Sequence, residues 1–580
     1  VGRSHYQILA LALLTFGSAS AVGQTAPAPT REEVERKPVF AAPDTPKGRI
    51  SIDGDVEAAP CPLADATYAD VKFDLVAVTF NGLPPELADA VAPSWVANKG
   101  KSLPVAAVCT IRDRAATILR ARGYLAAVQV PAQRIENGKL VFTVLMAKIV
   151  GFQVRGDAGK SEAMIARYLK QIQNAPLFNI NQAERYLLLA RDLPGIDLRM
   201  TLRPAGTVPG EVIGEVMVTR TPVELEVNAQ DYGSTAVGRF GGLATIHFNG
   251  FLGVGDRTTL GFYSTSDFDE QQVAQASEML NIGSNGLTFA ANFTYAWTHP
   301  KLGPNLTVRS RTVLVNAELR YPFIRRQTHN LAAAFGFDYV NQSTTVAGTP
   351  LTNDHLREFY ARVEGDVTDS ESLASTTGYS AAEPRWRMTG NLSFRKGVDL
   401  FSASAPSDIF LTRFGGNPQS LVVRANGLIE VRPTPKLTLS MAPRVQYAPD
   451  AILAFDQMAG GNFTVGRSYD PGSVTGDSGY GLTNEIRYGS LVPKSARAVA
   501  LQGYAFFDAA WVSNNATALK PLNPQTLYSA GGGVRAAWGE HMVLDAGLAV
   551  PLKTLPGQTR LNDVRFLINL TARLLPWSRR

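Results

Sequence analysis

Only two cysteines, Cys61 and Cys109, occur in 580 residues, and the six histidines are scattered at His5, His247, His299, His329, His355 and His541. None of these histidines sits at ligand spacing from a cysteine, so no metal centre is expected. Charged residues make up 18% and apolar residues 45%, which fits neither a disordered chain nor a helical membrane protein. The formal charge is +6, and a leader containing only Arg3 would remove one unit, leaving 6 − 1 = +5. That bias is too small for a nucleic-acid partner. Beyond the N-terminus no stretch approaches the ~18 unbroken apolar residues of a spanning helix. Gly-rich phosphate loops ending in Lys-Ser/Thr, nucleophile elbows and clustered carboxylates are missing too. The chain is therefore not expected to be an enzyme, and no cofactor is expected.

What is present begins with a leader. Arg3, the apolar run Ile8–Phe16 and the small residues Ala19-Ser20-Ala21 read as a signal peptide over 1–21. An exported chain that enters a membrane without apolar helices must do so as a closed barrel. Export also places Cys61 and Cys109 in an oxidising compartment, where a bridge would be worth about 4 kcal/mol in the chain-entropy model. Two free buried thiols are the alternative. Residues 22–70 form a Pro-rich linker interrupted by one charged run, Arg31 to Lys37.

Two tandem units follow, at 71–147 and 148–221. In the first, Phe73 to Phe80 alternate as a strand, Pro84-Pro85 open one helix, and a second after Pro104 carries Cys109, Ile111, Ala115 and Leu119 on one face. Strands at Tyr124–Val130 and Leu140–Leu145 flank a Glu136-Asn137-Gly138 turn. The second unit repeats the order: a strand at Ile149–Arg155, helices from Ser161 and Asn181, and strands at Asp197–Arg203 and Glu211–Thr219. Asn181, with Glu184 three residues on, is the expected N-cap of a capping box. Two βααββ units of similar length make an internal repeat.

Gly123-Tyr124, Val130-Pro131-Ala132-Gln133, Gly138, Arg185-Tyr186-Leu187 and Leu193-Pro194-Gly195 resemble the two POTRA domains of two-partner secretion transporters. These are the haemolysin secretion/activation proteins, a branch of the BamA superfamily. The resemblance implies an outer-membrane pore with periplasmic POTRA domains, exporting an unfolded β-helical partner protein without ATP. It also implies that a helix from the linker can plug the pore, although the charged run here would make about two turns at most.

Beyond Pro222 helical periodicity disappears. Leu287, Phe289, Ala291, Phe293, Tyr295 and Trp297 share one face of a strand, against Thr288, Asn292 and Thr294; Val313 to Tyr321, Leu437 to Tyr447 and Phe566 to Leu574 repeat the pattern. Charges on the polar face and aromatics at strand ends favour a barrel whose apolar side meets lipid. About sixteen strands are expected over 222–580. The fold class is thus α+β and all-β: two POTRA domains followed by a 16-stranded transmembrane β-barrel. Outer-membrane lipid and lipopolysaccharide would surround a monomer. The connection at Thr368–Pro384 is longer than this alternation of short turns and long loops predicts.

One Gly-rich loop, 449–481, is expected to fold inward. The family's loop carries an Arg-Gly-Tyr/Phe signature whose Arg pairs with an Asp in a Phe-x-Asp-x-Gly motif on the wall. Gly466, Arg467, Ser468 and Tyr469 match the first; Phe506, Phe507, Asp508, Ala509 and Ala510 match the second, with Ser468 and Ala510 in place of family glycines. Alternation on 501–512 turns Asp508 inward with Gln502, Tyr504 and Phe506, since a carboxylate facing lipid is costly. Cargo would be captured by strand addition at an edge near Tyr124, Val128, Val130 and Gln133. Two rivals remain at this point, a BamA-like assembly factor and a passive porin or adhesin barrel.

Overall fold

The computed structural model describes residues 29–36, 61, 63, 65–68, 70–206, 208–301, 306–374, 378–555 and 558–576. The leader, most of the Pro-rich stretch and the last four residues lie outside the described residues.

The described chain begins in the barrel lumen with a single helical turn, α1 (Arg31–Val34). The first unit follows: β1 (Lys72–Asp74), β2 (Ala77–Asn81), α2 (Ala88–Val91), β3 (Ser102–Pro104), α3 (Ala107–Ala121), β4 (Ala126–Gln129) and β5 (Lys139–Met146). Its first strand is split, unlike the single run read from Phe73 to Phe80. Leu75 is wholly buried, and the N–H groups of both Val76 and Ala77 donate to the Gly138 carbonyl. β1 consequently pairs with β3, while the main sheet runs β2-β5-β4. The expected first helix is only one α-turn flanked by 3₁₀ turns, because Pro84, Pro85 and Pro93 deny it continuous amide donors. Cys61 and Cys109 are bridged, Cα to Cα 6.0 Å, fastening the incoming chain to α3.

Ala147 alone joins the units. The second contains β6 (Lys148–Gly156), α4 (Glu162–Gln173), α5 (Ile180–Arg191), β7 (Ile196–Pro204) and β8 (Glu211–Arg220), with sheet order β6-β8-β7. Its helices bury Ile165, Tyr168, Leu169, Leu187 and Leu189 against the sheet. Burial pushes the Tyr168 phenol up to about 12. The cap of α5 is Asn179, whose side chain accepts from Asn181 N–H at 2.9 Å, and not Asn181. The helix starts earlier because Ile180 N–H is already engaged by the Gly123 carbonyl of the first unit. Glu184, freed from a capping box, accepts instead from Gln327 N–H at 3.0 Å.

Sixteen antiparallel strands then close into a barrel. They are β9 (Val223–Gln230), β10 (Gly241–Asn249), β11 (Arg257–Thr265), β12 (Gln271–Ile282), β13 (Leu287–Thr298), β14 (Val308–Arg325), β15 (His329–Val346), β16 (Thr349–Thr368), β17 (Trp386–Gly397), β18 (Leu421–Thr434) and β19 (Leu437–Tyr447). A short hairpin, β20 (Met458–Gly460) and β21 (Val474–Gly476), lies inside the following loop. The wall resumes with β22 (Ser478–Gly489), β23 (Val499–Ser513), β24 (Gln525–Trp538), β25 (Met542–Pro551) and β26 (Arg565–Leu575). β26 pairs with β9 from Asn569↔Gln230 to Leu575↔Leu225 and completes the ring. The long connection between β16 and β17 contains a 3₁₀ turn, Glu371–Ala374. Among the described residues no helix is long and apolar enough to cross a membrane.

The second unit is bolted to one end of this barrel through α5. Arg325 on β14 grips Asp192 with two bonds of 2.6 and 2.7 Å. Arg185 donates to the carbonyls of Pro322 at 2.9 Å and Phe323 at 3.1 Å. Such charge-assisted bonds fix orientation as well as contact.

Candidate functional site: the lumen and its two occupants

Alternation alone decides which wall side chains enter the lumen. On β23, Ala500, Gln502, Tyr504, Phe506, Asp508, Ala510 and Val512 are buried, and Leu501, Ala505 and Phe507 are exposed on the outer face. Asp508 is 0% exposed.

Loop 448–477 folds back into the barrel and meets this wall. β22 starts at Ser478, four residues before the expected strand, because Gly479 and Gly481 already pair with Gln446 and Arg444. Gly466, with φ +109°, turns the chain where any Cβ would collide with Leu527. That turn aims Arg467 at Asp508: the backbone N–H and Nε donate to Oδ2 at 3.1 and 3.2 Å, and Nη2 donates to Oδ1 at 3.1 Å. Nη1 reaches a second carboxylate, Glu485 on β22, at 2.6 Å, and the guanidinium lies 3.8 Å from the centre of the Phe506 ring. Burial opposes the Arg467 charge, but Asp508 and Glu485 outweigh it and hold the group protonated more firmly than usual.

Glu485, which the sequence motifs did not mark, is the hub of the wall. Arg535 on β24 gives it two bonds of 2.9 and 3.0 Å and uses its Nε for Asp545 at 3.0 Å. Arg487 on Glu485's own strand also pairs with it. Tyr469 is fully buried, its hydroxyl 2.6 Å from the Lys553 carbonyl. Ser468 is buried and its backbone avoids the left-handed region, so a serine fits where the family has glycine. Ala510 packs its methyl among Met458, Val465, Tyr469, Val512 and Leu527. A further anchor joins the loop to the closing strand: Arg565 donates to Asp470 at 2.8 Å and to the Gly233 carbonyl at 2.7 Å.

The second occupant is the segment 29–36. Thr30 caps α1 reciprocally with Glu33, so the charged run makes one turn. Arg31 enters a buried cluster, meeting Asp338 at 2.8 Å, Asp456 at 2.8 Å and Glu358 at 3.1 Å. Arg395 and Arg424 join the same cluster, which therefore balances three carboxylates with three guanidinium groups. Burial disfavours the Asp456 charge, but Arg31 and Arg424 outweigh that cost and hold its carboxyl below the usual range. Val34 is wholly buried against Leu243, Leu314, Leu356 and Phe455, and Arg36 lies between the rings of Tyr263 and Phe463. Nearer the βααββ units the lumen keeps a cavity of about 490 Å³ whose mixed lining includes Arg320, Glu364, Asp366, Arg387, Ile324 and Leu428.

The expected capture residues occupy the first unit. Val128 is buried, and Gln133 spends its amide on the main chain of Val141, at 2.7 and 2.8 Å. Tyr124 bridges to Asn179 of the second unit, and Val130 packs against the core of its own. Among the described residues β4 pairs only with β5, so its other main-chain edge has no strand partner.

Comparison with known proteins agrees with this architecture. The model of the family "Haemolysin secretion/activation protein ShlB/FhaC/HecB" matches residues 215–536. A search of curated sequences finds no match. Among solved structures, CdiB from Escherichia coli is 15% identical with a TM-score of 0.70, covering 91% of this chain and 94% of its own. CdiB from Acinetobacter baumannii is 15% identical with a TM-score of 0.62, covering 98% and 97%. BamA from Haemophilus ducreyi lacking POTRA domains 1–3 is 13% identical with a TM-score of 0.50, covering 87% and 100%. A sixteen-strand barrel with two βααββ units at one end, matched over more than half its length by that model, belongs to the haemolysin secretion/activation family ShlB/FhaC/HecB, as an outer-membrane secretion transporter with its POTRA domains in the periplasm.

Proposed function

We propose that this transporter carries one unfolded, β-helical exoprotein from the periplasm through its own lumen to the cell surface. One observation carries the reading: the channel is filled by two polar-anchored pieces, the N-terminal segment and loop 448–477, and not by apolar wall side chains packed across it. Both pieces are anchored by ion pairs and hydrogen bonds, which water can replace when a piece leaves, and each also packs apolar side chains against the wall.

In this reading the segment 29–36 withdraws and opens the channel. The loop stays tied to the wall by Arg467, so it shapes the path without falling into it. Cargo first adds a strand to the free edge of β4, which has a partner only on its β5 side. Recognition is then mainly of backbone, which suits an unfolded substrate. Folding of the cargo outside the cell supplies the drive, so no nucleotide is consumed.

The test compares the culture medium of the native bacterium with that of a strain lacking this chain. Loss of one large repeat-rich protein from the medium, with normal levels of other outer-membrane barrels, is expected. A general fall in outer-membrane barrels would instead make the chain an assembly factor. An unchanged medium would remove the export role.

A further inference from the structure

The outer surface of β14 changes character at a single step. Val313, Val315, Ala317, Leu319, Tyr321 and Phe323 face outward, and above them on the same face stand Arg309 and Arg311. From Val313 to Phe323 is about 34 Å of strand, or about 26 Å of height at a tilt near 40°, close to the ~25 Å apolar band of an outer-membrane barrel. The lower end of β14 is the periplasmic one, since Arg325 there holds Asp192. Arg309 and Arg311 therefore sit at the outer-leaflet boundary, facing away from the lumen.

Their neighbours favour an anionic lipid. Arg311 is paired in register with Trp297, which packs against Tyr295 and Phe262, so the cation borders an aromatic belt at headgroup level. Across on β15 the partners are Ser343 and Thr345. Both arginines are exposed, and neither has an acidic partner among the described residues. Arg357, also outward on β16, differs: it is 1% exposed, stacked on Tyr339 and bonded to Asn341 and the Phe401 carbonyl. On the far side of the barrel the outward columns of β24 to β26, such as Val534, Leu548 and Phe566, carry no charge. The basic pair is thus local to one quadrant and is not spent on structure.

We infer that Arg309 and Arg311 form a binding site for a phosphate of lipid A, the phosphorylated glycolipid anchor of lipopolysaccharide, with Trp297 and Tyr295 against its acyl chains. Two guanidinium groups two residues apart on one strand face can reach one phosphate, for which their planar donor forks are suited. The source is the outer leaflet itself, because the site continues directly from the lipid-facing column below it.

The experiment uses the full chain purified from outer membranes and placed in lipid nanodiscs, with bound lipid A read by native mass spectrometry. The double variant Arg309→Ser/Arg311→Ser is expected to bind lipid A at least ten-fold more weakly, with unboiled mobility in SDS gels unchanged. Lys494→Ser, in a periplasmic connection, should bind like the parent. Dephosphorylated lipid A should bind the parent protein at least ten-fold more weakly than lipid A does, a comparison that needs no variant to fold. Equal binding of both forms by the parent, undiminished binding by the double variant, or equal affinity for phosphatidylglycerol would each overturn the assignment.

Discussion

Removing the Asp508 carboxylate should loosen the inward loop without unmaking the barrel. In Asp508→Ala the loop loses three bonds from Arg467, and Ser529 loses its bond of 3.2 Å to the same carboxylate. Arg467 is not orphaned, since Glu485 at 2.6 Å and the Phe506 ring at 3.8 Å remain. The cost therefore falls at the low end for breaking a buried pair, about 3 kcal/mol. That corresponds to an increase on the order of 100-fold in the fraction of undocked loop. Trypsin reads this fraction directly, because it cuts after Arg467 only when the loop is out, and slow cleavage follows the open population. The Arg467–Ser468 bond should be cut on the order of 100-fold faster in the variant. Export of cargo should be abolished or sharply reduced, and the unboiled band in SDS gels should stay where it is. Parental cleavage rates together with normal export would remove the pairing from the mechanism.

Arg31→Ala leaves three carboxylates facing two guanidinium groups, so segment 29–36 should leave the lumen and single-channel conductance in planar bilayers should rise; closed channels like the parent's would count against a plug. The depressed Asp456 carboxyl contributes to docking at any pH above the ordinary carboxylate range and loses that contribution only as pH falls through its lowered value. Cys109→Ser should destabilise the first POTRA unit by about 4 kcal/mol, measured by urea unfolding of that unit's signal in the full chain, and leave barrel mobility unchanged. Arg185→Ala removes the bonds to the Pro322 and Phe323 carbonyls; hydrogen exchange in the α5–barrel seam should accelerate while the barrel strands keep their protection.

Period two was the most legible signal. A one-residue slip reverses every side chain, so the alternation through Leu287–Trp297 and Val313–Tyr321 could be satisfied in only one way. It also turned Asp508 inward before any contact was known. Contacts across the lumen were a different matter. Glu485 stood on the polar face of a strand already read, yet nothing along the chain says that Arg467, Arg487 and Arg535 converge on it; barrel closure and register decide that. Segment 29–36 posed the same difficulty, because its partners Asp338, Glu358 and Asp456 lie more than 300 residues away in sequence. Local signals misled where a tertiary bond took precedence. Asn181 and Glu184 spelled a capping box, but Gly123 captured Ile180 and moved the cap to Asn179.

Gel mobility tests most directly whether the apolar outer face meets lipid and the charged inner face encloses a channel. Purified from membranes and run in SDS without boiling, the protein should migrate as a fast, compact band, and boiling should retard it to the position of the unfolded chain. A protein that stays soluble without detergent and migrates identically before and after boiling would contradict the account.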